Sequence, residues 1–238
     1  LTEVGSKRAQ TVIGRMTGLF DETPYGGYYT KDEMREIVKY AADRYITVIP
    51  EIDMPGHMLG ALAAYPELGC TGGPYKVAEQ WGVFPDILCA GNPKTYEFVN
   101  NVLDEIVDIF PSKYIHIGGD EAPRIRWQHC PRCQAEIKRL GLKGSNGFPA
   151  EAQLQAYFMN QAAKHLAEKG RNIIGWDEIL EGDVDKGTTV MSWRGVNGGI
   201  EAAKRCLDAI MTPVNYYYLD YYQEIRDQLL PLTLHCNF

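Results

Sequence analysis

The fold is decided by residues 30–53, TKDEMREIVKYAADRYITVIPEID, which contain one complete helix-and-strand unit. Thr30 and Glu33 have the spacing of a capping box, so we predict a helix that begins after Thr30 and continues to about residue 44. Its apolar side chains recur on one face, at Met34, Ile37, Val38, Ala41 and Tyr45. The β-branched run from Ile46 to Asp53 predicts a strand that ends in a loop at Pro55.

The same unit recurs further along the chain. Helical spacing and turn residues predict helices at about residues 99–110, 150–169 and 198–206. Short β-branched or apolar runs predict strands at residues 114–118, 172–176, 188–192 and 208–212. Residues 177–187 are too few for a full helical crossover, so we expect the helix there to be missing or rudimentary. No hairpin signal separates the strands, which predicts crossover connections and a parallel sheet.

Polar or aromatic residues follow the carboxyl end of each predicted strand. They lie at residues 53–57, 118–121, 176–178, 193–194 and 216–220. An open, doubly wound sheet would spread these groups along an edge, whereas a barrel gathers all of them around one mouth. We therefore predict an α/β fold of the (β/α)8 TIM-barrel type, incomplete here because the chain supplies only five strands.

The composition is that of a globular domain with a large core. The 238 residues are 45% hydrophobic and 23% charged, which suits a single α/β domain. The formal net charge is -7, and Lys and Arg form no cluster, so we expect no nucleic-acid partner. No stretch approaches the roughly 18 consecutive apolar residues of a membrane span. The chain begins at Leu1 rather than Met, so we expect it to be part of a longer protein whose targeting signal could lie outside it.

Six cysteines are too dilute for a disulfide scaffold; they are Cys70, Cys89, Cys130, Cys133, Cys206 and Cys236. Cys70 and Cys89 flank a loop and could pair under oxidising conditions or be free buried thiols, and the sequence leaves both open. Cys130-Pro-Arg-Cys133 has the spacing of half a zinc site, yet no second Cys-x-x-Cys or His-x-x-x-His follows it. We therefore expect no metal and no cofactor.

The sharpest motif is His116-Ile-Gly-Gly-Asp-Glu121, at the end of a predicted strand. Two glycines let the backbone bend, and two adjacent carboxylates then enter the mouth of the barrel. Such a bend brings Asp120 and Glu121 to one substrate, where their like charges raise one pKa toward that of a general acid. A Gly-Gly turn followed by a solvated, acidic helix start is the alternative interpretation of the same residues.

This motif resembles the His-x-Gly-Gly-Asp-Glu signature of glycoside hydrolase family 20, the β-N-acetylhexosaminidases. Four further segments match the family in order, at Glu51-Ile-Asp-Met-Pro-Gly-His57, Gly175-Trp-Asp-Glu178, Ser192-Trp-Arg-Gly195 and Tyr218-Leu-Asp-Tyr-Tyr222. Residues 1–5 resemble the end of the family's second strand-and-loop unit. The resemblance implies that residues 1–238 are a partial catalytic (β/α)8 barrel, with about the third to the seventh strand.

The resemblance implies an enzyme that removes terminal, non-reducing N-acetyl-β-D-hexosamine from glycans or glycoconjugates. The substrate's own 2-acetamido oxygen attacks the anomeric carbon, so the reaction retains configuration through an oxazolinium intermediate. Glu121 would protonate the glycosidic oxygen and later activate water. Asp120 would orient the acetamido group and stabilise the positive charge on its nitrogen.

The resemblance also implies a substrate pocket around these carboxylates. Trp176 and Trp193 would wall the acetamide, since aromatic faces suit a methyl group and exclude water. Core packing is the alternative for either indole. The hydroxyl of Tyr218 would donate to the acetamide oxygen, and Asp220 would accept from a sugar hydroxyl. His57 would lie near the catalytic carboxylates.

Gaps in the resemblance keep two other interpretations open. The family's first two strands, its upstream sugar-binding Arg tract and its eighth-strand Trp-x-Glu segment are not found in this sequence. The chain could therefore be inactive alone, as a sugar-binding fragment without catalysis. A metal-dependent barrel hydrolase is the other alternative, with the candidate ligands Asp53, His57, His116, Asp120 and Glu121. Family members usually act outside the cytoplasm, and no Asn-x-Ser/Thr sequon occurs here, so we expect a periplasmic or secreted protein.

Overall fold

The structure, a computed structural model, describes residues 1–14 and 17–220. Tyr221 and Tyr222, at the end of one matched segment, and Cys236 lie outside the described residues. Along the described chain the elements are, in order, α1 (Thr2–Gly5), β1 (Lys7–Arg8), β2 (Tyr25–Gly26), α2 (Lys31–Ala42), α3 (Leu59–Ala64), α4 (Pro93–Ile109), β3 (Tyr114–His116), α5 (Ile125–His129), α6 (Pro131–Leu140), α7 (Ala150–Glu168), β4 (Asn172–Trp176), β5 (Thr189–Ser192), α8 (Asn197–Lys204), β6 (Asp208–Met211) and α9 (Val214–Tyr217). Two 3₁₀ turns occur at Pro66–Leu68 and Asp177–Glu181.

The centre of the fold is a parallel sheet in which β3, β4, β5 and β6 are neighbours in sequence order. A doubly wound sheet would reverse its strand order at some point, whereas the wall of a barrel adds each new strand on the same side. The predicted class, an α/β barrel of which this chain forms part, is confirmed. Within the described residues the sheet does not close, and β6 is exposed along its whole length.

The strand predicted at residues 46–53 is much shorter than expected. Glu51 bridges in parallel to His116, the amide of His116 donates to the carbonyl of Pro50 over 2.9 Å, and that of Ile52 donates to the carbonyl of His116 over 2.9 Å. In the described residues this segment pairs only with β3, and β3 has just three residues. The segment can form strand pairing only along that length. The prediction was wrong in length, but it placed this segment correctly beside β3.

The other predicted helices and strands are confirmed, with ends shifted by a few residues. α2 has the predicted capping box, because the hydroxyl of Thr30 accepts from the amide of Glu33 and the Glu33 carboxylate accepts from the amide of Thr30. α7 is followed by Gly170 at a φ of +72°, as a helix-ending glycine requires. The connection at residues 177–187 contains only a 3₁₀ turn, as expected.

Several short elements were not predicted. β1 and β2 form a two-residue antiparallel pair, apart from the parallel sheet of the predicted strands. Strands of two residues are too short to produce an alternating pattern. α6 does carry sequence signals, since Pro131 occupies its first turn and Gly141 follows it at a φ of +65°. α3 and α5 are too short for a helical period to be detected.

The core lies between the sheet and the helices α4 and α7. Its fully buried side chains include Ile115 and Ile117 at β3, Leu103 from α4, and Leu154, Phe158, Met159 and Leu166 from α7. Full burial of one such side chain stabilises the fold by about 1.5–3 kcal/mol. This packing fixes the strands and, with them, the residues at their carboxyl ends. No helix in the described part of the chain is long and apolar enough to cross a membrane.

The described cysteines are free thiols. Cys70 and Cys89 are therefore not bonded to each other, and the disulfide that the sequence left open is not formed. Cys89 is fully buried and Cys70 is partly exposed.

Candidate active site

The carboxyl ends of the strands open into one cleft of about 1040 Å³. A cleft of this size is typical of a small-ligand site. Most of the predicted site residues line it, namely His57, Asp120, Glu121, Trp176, Trp193 and Tyr218. Asp220 is exposed and is not among the residues that line the cleft.

The bend at Gly118 and Gly119 presents the two carboxylates to this cleft. The two glycines have φ values of +69° and +104°, which residues with side chains rarely adopt. Neither position has room for a side chain: a Cβ at Gly118 would lie 1.8 Å from Oδ1 of Asp53, and one at Gly119 would lie 2.5 Å from Cγ2 of Ile179. The predicted bend is confirmed. Because α5 begins only at Ile125, the two carboxylates do not start a helix.

Asp120 and Glu121 face the same nitrogen of His57. Nε2 of His57 lies 3.6 Å from Oδ2 of Asp120 and 3.4 Å from Oε2 of Glu121. Both Glu121 and His57 have a positive φ, +44° and +53°, a backbone strain that clusters at functional sites. The side chain of Asp120 is 18% exposed and that of Glu121 is 40% exposed. Asp120 therefore lies deeper in the cleft, and Glu121 lies nearer to solvent.

Asp53 contacts the backbone of the bend at Gly119 and holds a proton beside Asp120. Its Oδ1 accepts a hydrogen bond from the amide of Gly119 over 3.2 Å. Burial, followed by the nearby charge of Asp120, raises the pKa of Asp53 to about 8. Burial also raises the pKa of Asp120, but the charge of His57 and a hydrogen bond from Asp53 act in the opposite direction. At neutral pH Asp53 therefore keeps its proton beside Asp120.

Trp176 and Trp193 form an aromatic wall with Tyr218. The indole rings meet edge to face at 6.4 Å, and Trp193 stacks on Tyr218 at 6.2 Å with 19° between the planes. Each indole nitrogen donates to a carboxylate, that of Trp176 to Glu51 over 2.8 Å and that of Trp193 to Glu178 over 2.9 Å. Both indoles are partly exposed at the cleft, so they are not simply core residues.

The 3₁₀ turn after β4 holds this wall from below. Oδ2 of Asp177 accepts from the amides of Trp193 and Arg194 over 3.1 and 3.2 Å, and the Arg194 guanidinium pairs with the same carboxylate. Burial raises the pKa of Glu178 to about 7, although the bond from Trp193 and the charge of Arg194 oppose this shift. The three contacts of the buried Asp177 fix the loop after β5.

His116 lies behind the wall. Its ring centre is 4.7 Å from that of Trp176, and its Nδ1 accepts from the amide of Gly118 over 3.1 Å. Burial lowers the pKa of His116 to about 4, so this imidazole is neutral at physiological pH. It supports the bend and the wall without reaching the two carboxylates at the surface of the cleft.

The cleft has further lining residues that the sequence predictions did not include. Among them are Arg8, Glu51, Glu79 and Trp81. Glu51 stands in a matched segment at a strand end, and this position is a signal that could have identified it. Arg8 ends the two-residue strand β1 and Trp81 lies in a loop, and no local pattern indicated either residue. The guanidinium of Arg8 lies 4.5 Å from the ring centre of Tyr25, at the rim of the cleft.

One group in the cleft has the donor atoms of a metal site. Ligand atoms of Asp53, His57 and Asp120 all lie within 4.8 Å of one another. His116 is not in this group, although it was a candidate ligand in the metal-dependent alternative. Asp53 would have to lose its proton before it could act as a ligand, and its raised pKa opposes that loss at neutral pH.

The sequence is similar to that of known glycosidases. Residues 1–233 match the sequence family described as "Glycosyl hydrolase family 20, catalytic domain". A β-hexosaminidase of Porphyromonas gingivalis is 49% identical over 224 residues, which cover 94% of this chain and 27% of the relative. One of Vibrio furnissii is 37% identical over 227 residues, which cover 94% of this chain and 36% of the relative. The chain thus spans only 27% and 36% of the lengths of these relatives.

Solved structures give the same result. A crystal structure of a β-N-acetylhexosaminidase has a TM-score of 0.83 and 34% identity to this chain, covering 94% of it and 46% of the other chain. The exo-β-N-acetylglucosaminidase of Vibrio harveyi, in complex with N-acetylglucosamine, has a TM-score of 0.77 and 33% identity, covering 94% and 34%. The likeness therefore extends over nearly the whole of this chain and over less than half of each structure.

Proposed function

The chain belongs to glycosyl hydrolase family 20, and we propose that it carries the catalytic carboxylates of a β-N-acetylhexosaminidase. The reaction removes terminal, non-reducing N-acetyl-β-D-hexosamine from glycans or glycoconjugates. Family 20 is an exception to the two-carboxylate scheme of glycosidases, because the substrate's own acetamido group is the nucleophile. Residues 1–238 are accordingly part of a catalytic barrel, and the protein acts in the periplasm or after secretion.

The convergence of Asp120 and Glu121 on one nitrogen of His57 carries this proposal. An ordinary glycosidase places its two carboxylates on either side of the scissile bond, about 5–9.5 Å apart depending on the mechanism. Asp120 and Glu121 are adjacent in the chain, and both approach the same imidazole nitrogen from within 3.6 Å, so they act on one part of the cleft. They suit a mechanism in which one carboxyl group moves protons and the other assists an internal nucleophile.

Glu121, the more exposed of the two, is the general acid and base. The acetamido oxygen bonds to the anomeric carbon while the bond to the leaving oxygen breaks, and that oxygen keeps the electron pair and takes the proton of Glu121. Water then gives its proton to the Glu121 carboxylate and attacks the anomeric carbon, which opens the oxazolinium ring. Two displacements at the same carbon retain its configuration.

Asp120 orients the acetamido group and stabilises the positive charge that develops on its nitrogen. This role requires an ionised carboxylate in a partly buried site, where a charge acts more strongly than in water. The raised pKa of Asp53 supports it, because a protonated Asp53 places no second negative charge beside Asp120. Asp53 is thus a positioning residue for Asp120.

The aromatic wall forms the pocket for the acetamide methyl group. Trp176 and Trp193 turn their polar edges to carboxylates, which leaves ring surface for an apolar contact. Tyr218, stacked on Trp193, donates its hydroxyl to the acetamide oxygen. Asp220 accepts from a sugar hydroxyl, and its exposed position requires the bound sugar to reach the rim of the cleft.

Hydrolysis of N-acetylglucosaminides by the full-length protein tests these roles. We expect Asp120→Asn and Glu121→Gln each to lower kcat on an N-acetylglucosamine disaccharide by about 10²–10⁴-fold. On p-nitrophenyl N-acetyl-β-glucosaminide the defect of Glu121→Gln is smaller, because nitrophenolate leaves without a proton. Glu97→Gln, at an exposed glutamate of α4, is the matched control and keeps wild-type activity.

A thiazoline analogue of the cyclised acetamide gives an independent measurement. We expect it to inhibit competitively and to bind more weakly to Asp120→Asn. Full activity of Glu121→Gln on the disaccharide would refute the acid and base role. Thiazoline or sugar binding without any turnover by the wild-type protein would instead favour a sugar-binding module.

A metal-dependent hydrolase is the second candidate, because Asp53, His57 and Asp120 bring donor atoms within 4.8 Å of one another. Unlike the substrate-assisted mechanism, this candidate requires an ionised Asp53. It also has no cyclised acetamide intermediate, so a thiazoline would not resemble any state of its reaction. Insensitivity to the thiazoline, together with activity that depends on added divalent metal, would favour this candidate over the first.

A further inference from the structure

Four cysteines from separate parts of the chain meet away from the cleft. Cys70 follows the 3₁₀ turn at Pro66–Leu68, Cys89 lies at the far end of the loop that begins there, and Cys130 and Cys133 lie at the start of α6. Their sulfur atoms all lie within 4.8 Å of one another. We name these four residues the cysteine cluster.

Three of the six sulfur-to-sulfur distances in the cysteine cluster match those of a tetrahedral thiolate site, and the other three are within 4.8 Å. Sγ of Cys89 lies 3.6 Å from that of Cys133 and 3.8 Å from that of Cys130, and Sγ of Cys70 lies 3.8 Å from that of Cys133. A zinc ion bonded to four sulfurs at about 2.3 Å has sulfur-to-sulfur edges of about 3.8 Å. Thiols that merely fill a core have no reason to converge four at a time with this spacing.

The surroundings of the cluster also suit deprotonated thiols. Cys130 and Cys133 occupy the N-terminus of α6, a ten-residue helix whose dipole favours negative charge. Cys89, Cys130 and Cys133 are buried, at 0%, 4% and 0% exposure, so bulk water does not compete for the site. Gly91 allows the close approach, because a Cβ there would lie 2.4 Å from the amide nitrogen of Cys133.

We propose that the cysteine cluster binds a structural zinc ion through all four sulfur atoms. The sequence argument against zinc sought a second Cys-x-x-Cys or His-x-x-x-His after Cys133, whereas the fold supplies Cys70 and Cys89 from upstream. Four protein ligands leave no open position, so the ion has a structural and not a catalytic role. The proposal does not depend on the hydrolytic activity.

The zinc ion fixes the loop of residues 71–88, which contributes Glu79 and Trp81 to the cleft. The base of this loop is already closed by a bridge between Gly69 and Leu88, and Arg132 of α6 donates to the carbonyl of Gly69 over 2.9 Å. A zinc ion coordinated by Cys70 and Cys89 at the two ends of the loop, and by Cys130 and Cys133 at the start of α6, links the loop to this helix. Loss of the metal therefore loosens the loop first.

Metal content of the purified protein tests the proposal. We expect one equivalent of zinc by mass spectrometry of the metals, released by a thiol-reactive mercurial. Cobalt(II) added to the metal-free, reduced protein should give the visible absorption of tetrahedral cobalt thiolate. Cys70→Ser and Cys133→Ser should each lose the stoichiometric zinc, whereas Cys206→Ser, at an exposed cysteine outside the cluster, should keep it.

Cys70 lies on a partly exposed loop, so Cys70→Ser provides a readout if Cys133→Ser does not fold. Stoichiometric zinc that only the cluster variants lose supports the site. Two results would overturn it: wild-type protein that takes up neither zinc nor cobalt, or intact-mass analysis after denaturing alkylation that finds disulfides among the four cysteines. Stoichiometric iron in place of zinc would overturn the choice of metal.

Discussion

Replacement of Gly118 by alanine tests how the bend holds the carboxylates. Gly118 has a φ of +69°, and an added Cβ would lie 1.8 Å from Oδ1 and 2.6 Å from Cα of Asp53. Because the second of these atoms is backbone, rotation of the Asp53 side chain cannot relieve the overlap. Displacement of Asp53 also removes the acceptor of the Gly119 amide.

The expected loss of stability has three parts. A left-handed φ costs a residue with a side chain about 1–2 kcal/mol. Overpacking adds about 1–3 kcal/mol, and an unsatisfied buried amide costs about 1–3 kcal/mol. Gly141 is the matched control, because its φ is +65° but no atom lies within 4 Å of an added Cβ. The backbone-angle part is common to both variants, so Gly118→Ala should exceed Gly141→Ala by about 2–6 kcal/mol in the loss of unfolding free energy.

Urea denaturation of the two alanine variants measures this difference, with turnover of the nitrophenyl substrate as a second readout. Activity should fall only in Gly118→Ala, since Gly141 lies at the end of α6, away from the cleft. Equal losses of stability in the two variants would show that only the backbone angle matters. The packing argument for the bend would then be refuted.

The free energy of unfolding should also depend on the proton that Asp53 holds. The folded pKa is raised from 3.8 to about 8, so this contribution to stability is full below about pH 4 and is lost as the pH rises to about 8. Asp53→Asn removes this dependence, so its free energy of unfolding should gain about 2–4 kcal/mol relative to the wild type between pH 5 and pH 8. Asp185→Asn, at an exposed aspartate, is the control and should show no such trend. Urea titrations at both pH values measure the difference, and an equal pH dependence of Asp53→Asn and the wild type would contradict the prediction. Thr30→Ala removes the capping box of α2 and should cost about 1 kcal/mol in the same assay without changing turnover, and a stability equal to wild type would contradict the role of the cap.

The segments with strong local signals were predicted from the sequence almost as the structure has them. The strand at Asn172–Trp176 and the helix that ends before Gly170 agree within a residue, because burial and helix ending are both encoded in neighbouring residues. The prediction of a strand at residues 46–53 was wrong in length because pairing depends on residues that are remote in the sequence. Its local β propensity is high, but a strand also requires a partner, and β3 pairs with only part of it.

The site was predicted to the extent that its residues lie at strand ends. Parallel strands bring their carboxyl ends together in any barrel, so the order of the motifs was enough to assemble His57, the two carboxylates and the aromatic wall. Arg8 lies in a strand of two residues and Trp81 in a loop, and neither segment has a sequence period that could have identified it. The cysteine cluster was missed because Cys70 and Cys89 lie far upstream of Cys130 and Cys133 in the sequence.

The sequence by itself determined where most of the longer helices and the strands β3 to β6 lie, where the chain bends at two glycines, and which chemical groups stand at the strand ends. These features depend on side chains within a few residues of one another. Only the tertiary structure decided that Asp53 keeps a proton beside Asp120, that carboxylates hold the indoles of the wall, and that four distant thiols meet. Those outcomes depend on burial and on distances between remote segments, because charge, desolvation and metal ligation act through space and not along the chain.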